Sequence, residues 1–168
     1  EPMTSLNPLH TIHKQIEEVI ITHNKISYEK VKNKTKNLLK EVGLTELSER
    51  PKVYPYELSG GQRQRVMIAM SIANKPDVLI ADEPTTALDV TIQMQILNLL
   101  SNLQKKLGMT MIFISHDLSV VKKISDFIYV MKNGSIIENG NTEWVFNKPV
   151  NDYTKKLISS NSGKKINT

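Results

Sequence analysis

The chain has no cysteine among its 168 residues. This absence excludes a disulfide framework and metal sites built on thiolates, and it fits a protein kept in a reducing compartment. The sequence also lacks any run of roughly 20 apolar residues that would cross a bilayer, and its first residues do not form the apolar stretch of a signal peptide. We therefore expect any membrane role to be peripheral.

Aromatic residues are scarce, at 5% of the chain, whereas Lys and Arg (22) outnumber Asp and Glu (17) and give a net charge of +5. Proteins that bind nucleic-acid strands place aromatic side chains among the basic ones so that bases can stack. Here the basic residues are scattered without aromatic interleaving: Lys30, Lys32, Lys34, Lys36, Lys122, Lys155 and Lys164. We expect a solvated basic surface and no nucleic-acid partner, with nucleic acid as the second interpretation of the charge.

Apolar residues recur at helical spacing in the first third of the chain. Residues 10–25 and 28–42 each predict an amphipathic helix, and Gly43 stands where a left-handed residue ends the second one. The two apolar stripes comprise Ile12, Ile16, Val19 and Ile20, and Tyr28, Val31, Leu38, Leu39 and Val42. Residues 50–56 contain two prolines and predict an extended connector, because proline disfavours helix for itself and for the residue before it.

From residue 76 onward, short apolar runs alternate with helical patterns, which is typical of βαβ units around a parallel sheet. Residues 78–81 and 109–115 predict buried strands, and the helix between them ends at Gly108. The apolar face of that helix comprises Ile92, Ile96, Leu99, Leu100, Leu103 and Leu107. The sequence therefore predicts an α/β fold for this part of the chain.

A hairpin is predicted at residues 127–131 and 135–138. The dipeptide Asn133-Gly134 lies between the two runs and favours the positive φ angles of a type I′ turn. The remaining chain predicts two short helices and then a frayed polar tail at residues 159–168.

Residues 58–62, Leu-Ser-Gly-Gly-Gln, stand directly before a helical pattern. Ser59 and Gln62 have the spacing of a capping box, and the absence of side chains at Gly60 and Gly61 lets a phosphate approach the exposed N–H groups of the first turn. The pattern indicates an anion site. The alternative is an ordinary capped helix whose glycines tighten the turn, and for the tripeptide Ser-Gly-Gly alone that is the better interpretation.

The apolar run at residues 78–81 ends in two carboxylates, Asp82 and Glu83. Ligands bind at the carboxyl edge of open α/β sheets. Asp82 suits Mg²⁺, which recruits one or two carboxylates together with substrate phosphates, and Glu83 suits a water that attacks a γ-phosphate. The alternative is a solvated strand end that leads into a proline turn.

His116 follows the run at residues 109–115 and would reach the same edge, where an imidazole can bind a terminal phosphate oxygen. The alternative is a helix start, with Asp117 capping residues 118–124. The other histidines, His10, His13 and His23, are expected on helix surfaces and receive no role.

In this order and spacing, these elements resemble the nucleotide-binding domain of ABC ATPases. The likeness is carried by Leu58, Ser59, Gly60, Gly61 and Gln62 (the family signature), Asp82 (the Walker B aspartate), Glu83 (the catalytic glutamate), Ala87, Leu88 and Asp89 (the D-loop) and His116 (the switch histidine). The resemblance implies an α/β fold, a partial P-loop NTPase (RecA-like) parallel sheet with a helical subdomain. Residues 1–74 would be the helical subdomain with the signature, residues 75–158 the carboxy-terminal part of the ATPase core, and residues 159–168 the tail.

The same resemblance implies the ligands, the roles and one partner. ATP and Mg²⁺ are the expected ligands. The implied roles are catalysis for Glu83 and His116, metal binding for Asp82, and nucleotide binding for Ser59, Gly60, Gly61, Gln62 and Asp89. In this family two domains face head to tail, and one copy's signature closes on ATP held by the other. A second nucleotide-binding subunit, identical or different, is therefore expected.

Two further stretches resemble the ATP-hydrolysing subunits of oligopeptide and dipeptide importers. Residues 1–8 are similar to the segment that follows the Q-loop glutamine, and residues 147–154 are similar to a His-Pro-Tyr-Thr segment in which Asn and Asp here replace His and Pro. The resemblance implies transmembrane permease subunits as partners, an extracellular peptide-binding protein as an indirect one, and a peripheral place at the cytoplasmic face of the membrane.

The sequence departs from the family because it contains no G-x-x-x-x-G-K-[ST] motif. We therefore expect a carboxy-terminal fragment that does not by itself hold ATP normally, with a sheet face or edge left uncovered. Two alternatives stay open. One is a soluble ABC ATPase of DNA repair or translation, although the sustained heptads of a repair ATPase are lacking. The other is a non-enzymatic binding fragment.

Overall fold

The computed structural model describes residues 5–86 and 88–161, with only the backbone described for Asn161. The chain divides into two compact units, one up to residue 112 and one from residue 113 onward. The functional division at residues 74 and 158, which the resemblance implies, stays a prediction.

The first unit contains, in chain order, α1 (Ile12–His23), α2 (Tyr28–Glu41), α3 (Thr45–Ser48), a 3₁₀ helix (Pro55–Glu57), α4 (Gly60–Ile72), β1 (Val78–Asp82) and α5 (Val90–Leu107). Strand β2 (Thr110–Ile114) runs across the boundary. The second unit contains α6 (Leu118–Ile124), β3 (Phe127–Lys132), β4 (Ser135–Asn141), α7 (Thr142–Asn147) and α8 (Asp152–Asn161).

The two predicted amino-terminal helices are confirmed as α1 and α2. Helix α1 begins after Thr11, whose Oγ1 accepts a hydrogen bond from the backbone N–H of Lys14. Helix α2 ends before Gly43, which has the predicted left-handed conformation with φ +77°. The prediction was wrong for Tyr28, because its side chain is 59% exposed and lies under the Lys32 ammonium rather than in the apolar stripe.

His13 was predicted on a helix surface, and this was wrong: the side chain is buried. Its Nε2 lies 2.7 Å from the carbonyl oxygen of Leu47 in α3. Since a carbonyl oxygen only accepts, Nε2 carries the proton and donates. Helix α3 therefore covers a position that the spacing of apolar residues assigned to solvent.

The connector at residues 50–56 was predicted to be extended, but its end turns into the 3₁₀ helix at Pro55–Glu57. Proline is tolerated in the first turn of a helix because its fixed φ suits that position and its missing N–H would have no partner there. Glu57 Oε1 also accepts the backbone N–H of Tyr54 at 2.8 Å. These two local effects outweigh the extended tendency of the segment.

Strands β1 and β2 are hydrogen-bonded neighbours in a parallel sheet, connected through α5. The backbone N–H of Thr110 donates to the carbonyl of Asp77 at 2.8 Å and aligns the starts of the two strands. Gly108 ends α5 with φ +66°, as the sequence predicts. Helix α5 is the longest of the described helices at 18 residues, and none of those helices combines enough length and apolarity to cross a bilayer.

The prediction that both strands are buried was wrong for one face of the sheet. Val78 and Ile80 of β1 are 49% and 64% exposed, whereas Leu79 and Ala81 between them are buried. Ile112 of β2 is exposed as well. Because side chains alternate across a strand, one face of β1 is buried and the other is exposed. This agrees with the expectation of an uncovered sheet face.

The predicted hairpin is confirmed in the second unit as β3 and β4. Asn133 and Gly134 have φ angles of +51° and +76°, as the predicted turn requires. The antiparallel register pairs Lys132 with Ser135 and has an irregularity after Val130. Strand β4 continues to Asn141, beyond the predicted end at residue 138, and helix α8 extends past the predicted start of the tail at residue 159.

Glu138 joins β4 to the start of α8. Its two carboxylate oxygens accept the backbone N–H groups of Val150 and Asn151 at 2.8 and 3.0 Å. Desolvation acts to raise the pKa of Glu138. The opposing effects of the nearby Thr154 hydroxyl, these two N–H groups and Lys155 are together larger and leave the pKa lowered. The ionised carboxylate therefore stabilises this end of the chain.

We predict that Glu138→Gln lowers the free energy of unfolding by about 1–2 kcal/mol at pH 7, since one of the two accepting oxygens is replaced by an NH₂ group that cannot accept its N–H. Because folding lowers the pKa of Glu138, its contribution is complete above the unfolded pKa of about 4.3 and is lost as the pH falls through the folded value. Urea unfolding at pH 7 and pH 3 measures both effects. The control is Glu143→Gln, at an exposed carboxylate of α7. An equal loss in the two variants would contradict the assignment.

Candidate functional site

The tip of α4 is built by a reciprocal pair of hydrogen bonds. Ser59 Oγ accepts the backbone N–H of Gln62 at 3.3 Å, and Gln62 Oε1 accepts the backbone N–H of Ser59 at 2.9 Å. The predicted capping box is therefore confirmed. Because the first N–H groups of a helix have no carbonyl one turn earlier to bind, those of Gly60 and Gly61 are available to an anion at this tip.

The two glycines lie against the segment that leads into α5. A β-carbon added to Gly61 would lie 2.7 Å from Ile92 Cγ2, and one added to Gly60 would lie 3.6 Å from Leu88 Cδ2. Only Gly61 is therefore required to be glycine by this packing. The structure thus brings together the predicted signature and the predicted D-loop, of which Ala87 lies outside the described residues.

Asp89 has a structural role in addition to the nucleotide-binding role predicted for it. Its Oδ1 accepts the backbone N–H of Ile92 at 2.9 Å and caps α5. Capping holds Ile92 in the position where it contacts Gly61. The side chain is exposed, and its contact with nucleotide stays a prediction.

The carboxyl end of β1 presents the two predicted acids differently. Asp82 is the last residue of the strand and is exposed. Glu83 has a positive φ of +44°, which is uncommon for a residue with a β-carbon and marks a constrained site. The chain therefore changes direction between the two residues. The roles predicted for them, metal binding and water activation, need carboxylates that point in different directions.

Thr86 is a residue of this site that the sequence analysis missed. Its hydroxyl donates to Glu83 Oε2 at 2.7 Å, and its backbone N–H donates to the Glu83 carbonyl at 3.1 Å. The carboxylate of Glu83 is therefore oriented by its own turn. A threonine three residues after the glutamate was the available signal, because hydroxyl side chains commonly bond within turns.

Asp82 is the residue that would hold Mg²⁺. Among residues 5–86 and 88–161, no group of three or more His, Cys, Asp or Glu side chains could enclose a metal ion. The exposed carboxylate of Asp82 at a strand end suits Mg²⁺, which is bound through one or two carboxylates, water and substrate phosphates.

His116 belongs to the second unit, where it is exposed and follows β2. The next residue, Asp117, caps α6 by accepting the backbone N–H groups of Ser119 and Val120, as the alternative reading of this sequence expected. The Ser119 hydroxyl, the two N–H groups and the charge of His116 lower the pKa of Asp117 despite desolvation. The role of His116 as a phosphate ligand stays a prediction.

Arg65 ties α4 to its neighbours in the first unit, a packing role that the sequence analysis did not assign to it. One guanidinium nitrogen, Nη1, donates to the carbonyl of Val42 at the end of α2, at 2.8 Å. The other, Nη2, donates to Gln95 Oε1 of α5 at 3.2 Å. The side chain therefore holds α4 against both helices, one turn beyond the capping box.

A family model described as ABC transporter matches residues 3–86, which is half of the chain. The chain belongs to the ABC transporter family. The matched residues include both the α4 tip and the end of β1.

Several relatives of this ABC chain are transport proteins by name, and each is matched over 95% of this chain. A peptidoglycan transport ATP-binding protein, YejF of Agrobacterium fabrum, is 55% identical. An oligopeptide transport ATP-binding protein, OppD of Bacillus subtilis, is 51% identical, and a glutathione import ATP-binding protein, GsiA of Escherichia coli, is 49% identical. The chain spans 29%, 45% and 26% of the lengths of these three proteins.

Solved structures of the family share the fold. CbiO1 of Clostridium perfringens, part of the ABC transporter complex cbiONQ, is 33% identical, with a TM-score of 0.77 over 88% of this chain and 57% of its own. The ATP-binding cassette MJ0796, in a dimeric post-hydrolysis state bound to ADP and Pi, is 32% identical, with a TM-score of 0.70 over 82% of this chain and 59% of its own. The predicted α/β fold, part of a P-loop NTPase, is therefore confirmed for this ABC chain.

We predict opposite effects of alanine at the two signature glycines. Gly61→Ala should lower the free energy of unfolding by about 1–3 kcal/mol, because its methyl group overlaps a branched side chain in a packed contact. Gly60→Ala should leave stability unchanged or raise it by up to about 1 kcal/mol, because alanine favours helix. Urea unfolding measures both.

The double variant Gly61→Ala/Ile92→Ala provides the control for the overlap. Removing the Ile92 side chain should make the Gly61→Ala substitution much less damaging than it is beside Ile92. Equal losses from Gly61→Ala in the two backgrounds would show that the contact is not the cause.

Proposed function

We propose that the protein containing this chain hydrolyses ATP and couples hydrolysis to the import of peptide-like solutes. One observation carries the proposal. The run of residues 82–92 contains both carboxylates at its start and, at its end, the surface against which the signature glycines pack. An ATPase of this kind needs its acidic residues and its signature in a fixed relation to each other. Here both belong to the first compact unit.

The described side chains suit hydrolysis by positioning and charge neutralisation. Asp82 would hold Mg²⁺, which neutralises phosphate charge when bound. Glu83, oriented by Thr86, accepts a hydrogen bond from water and aligns it for attack on the γ-phosphate. His116 binds the γ-phosphate and stabilises its charge.

The signature tip favours a site completed by two subunits. Ser59, Gly60, Gly61 and Gln62 offer N–H and side-chain donors to phosphate, and Asp89 lies at the start of the helix that they contact. A solved relative, the ATP-binding cassette MJ0796, is dimeric in its state bound to ADP and Pi. We therefore propose that the tip closes on ATP bound by a second nucleotide-binding subunit, identical or different.

The names of the relatives support peptide-like cargo. Oligopeptides, glutathione and the peptides of peptidoglycan all contain amino acids joined by amide bonds, and proteins named for their transport or import match this chain at 49–55% identity. We propose transmembrane permease subunits as direct partners and an extracellular peptide-binding protein as an indirect one. The subunit would then act peripherally at the cytoplasmic face of the membrane.

A soluble ABC ATPase of repair or translation is the second candidate, because the same motifs would serve it. The relatives named for transport favour import. A non-enzymatic role is the third candidate and is distinguished by turnover. Association with membranes that contain the permease separates the first candidate from the second.

We predict that Glu83→Gln in the intact subunit lowers ATP turnover by about 100-fold or more while nucleotide still binds, because the amide does not polarise water as a carboxylate does. Release of phosphate and equilibrium binding of ATP measure the two effects. Glu46→Gln, at an exposed carboxylate of α3, is the matched control and should retain full turnover. Near-normal turnover in Glu83→Gln would remove Glu83 from this role.

A further inference from the structure

A second concave site lies in the first unit, where α2 meets the carboxyl ends of α4 and α5. Its cavity has a volume of about 340 Å³, at the lower end of the range for small-molecule sites. We call it the α2–α4 pocket, and it is defined by Lys30, Asn33, Lys34, Asn37, Ile72 and Lys75. None of these residues belongs to the proposed ATP site.

The α2–α4 pocket has an excess of positive charge. Three lysines line it, and Glu41 is its one carboxylate among the described residues. Glu41 is already bound by Lys106 at 2.7 Å, so it does not neutralise the lysines of the pocket. The remaining ammonium groups form a site of positive potential in a concave surface, which concentrates anions.

Lys34 is partly buried in the pocket, beside Asn74. Its Nζ lies 3.5 Å from Asn74 Oδ1, and Asn74 is itself fixed by Asn24 Nδ2 at 2.7 Å and by donation to the Val19 carbonyl at 3.0 Å. Burial, and then the charge of Lys75, lower the pKa of Lys34. Both lysines line the same pocket, and an anion between their ammonium groups would relieve the repulsion.

Lys75 occupies a backbone position that favours glycine. It follows α4 with φ +51°, and its N–H donates to the Ile72 carbonyl at 3.0 Å, as in a left-handed helix cap. A lysine here is less favourable for folding than a glycine. The backbone thus fixes the direction in which the lysine side chain leaves the cap, toward the pocket that it lines.

We propose that the α2–α4 pocket binds a free small molecule that carries a phosphate or diphosphate group. The lysines bind the phosphate oxygens as point charges, the amides of Asn33 and Asn37 donate hydrogen bonds, and the apolar wall at Ile72 contacts the rest of the molecule. A phosphate is favoured over a carboxylate because it carries nearly two charges at neutral pH, against three lysines. The assignment is independent of the proposed ATPase function.

Calorimetric titration of the 168-residue chain with pyrophosphate tests the site. The chain has no G-x-x-x-x-G-K-[ST] loop to compete for the probe. Because the α4 tip is only one half of the proposed ATP site, we expect one strong site per chain, the α2–α4 pocket, weakened by rising salt. Lys34→Gln and Lys75→Gly should each lower the affinity at least about tenfold, as expected when one charge-assisted hydrogen bond is lost.

Two control variants separate this site from diffuse attraction and from the α4 tip. Lys32 lies on the same helix but over the Tyr28 ring, and it does not line the pocket, so Lys32→Gln should change the affinity less than twofold. Ser59→Ala alters the α4 tip and should also have little effect. The proposal would be overturned if pyrophosphate did not bind. It would also be overturned if Lys32→Gln lowered the affinity as much as Lys34→Gln, or if Ser59→Ala lowered it strongly.

Lys75→Gly also separates binding from folding. Because glycine relieves the positive φ, the melting temperature of this variant should be unchanged or higher while its affinity for pyrophosphate falls. Loss of affinity accompanied by a lower melting temperature in both lysine variants would count against the site.

A phosphate on a lipid headgroup is the other source of the same chemistry. Sedimentation with phosphatidylglycerol vesicles, compared with phosphatidylcholine vesicles, distinguishes it from a free ligand. We expect pyrophosphate binding in solution and no vesicle binding that depends on Lys34. Vesicle binding that requires Lys34 and resists pyrophosphate would overturn the assignment to a free molecule.

Discussion

The close approach of the α4 tip to the start of α5 is the constraint on which the proposed site depends. Gly61 leaves no room for a side chain beside Ile92, and Asp89 fixes Ile92 by capping its helix. The two glycines at the tip are therefore held against the segment that follows Asp82 and Glu83. Arg65 adds a second tie between α4 and α5, so the relation between signature and strand end is set by packing within one compact unit.

Much of the fold could be predicted because its signals are local. The capping box at Ser59 and the left-handed residues at Gly43, Gly108 and Gly134 depend on neighbours within one turn, and all are present. The wrong predictions concern what covers a surface. Periodicity placed Tyr28 inside and His13 outside, and only the positions of neighbouring helices decide such cases. The exposed face of β1 shows the same limit, since an apolar run does not reveal whether one or both faces are covered.

The candidate site, too, was predicted where its signals are local and not where they depend on contacts. Asp82 and Glu83 were recognised from an apolar run followed by acids, and the family is confirmed. Thr86 was missed, and Arg65 received no packing role, because the contacts that matter lie across a turn or between helices, which spacing does not reveal. Nor did the sequence indicate that Glu83 has a positive φ, which reflects a turn fixed by several hydrogen bonds together. The roles of the named residues stay predictions until turnover is measured.

The uncovered side of the β1–β2 sheet has a consequence for how the chain responds to denaturants and heat. Val78, Ile80 and Ile112 are hydrated before unfolding begins, so unfolding exposes less new apolar surface than the length of the chain suggests. Both the dependence of stability on urea concentration and the heat-capacity increment scale with that newly exposed area. The unfolding transition of the chain should therefore be broader, and its stability curve flatter, than those of a fully enclosed domain of 168 residues.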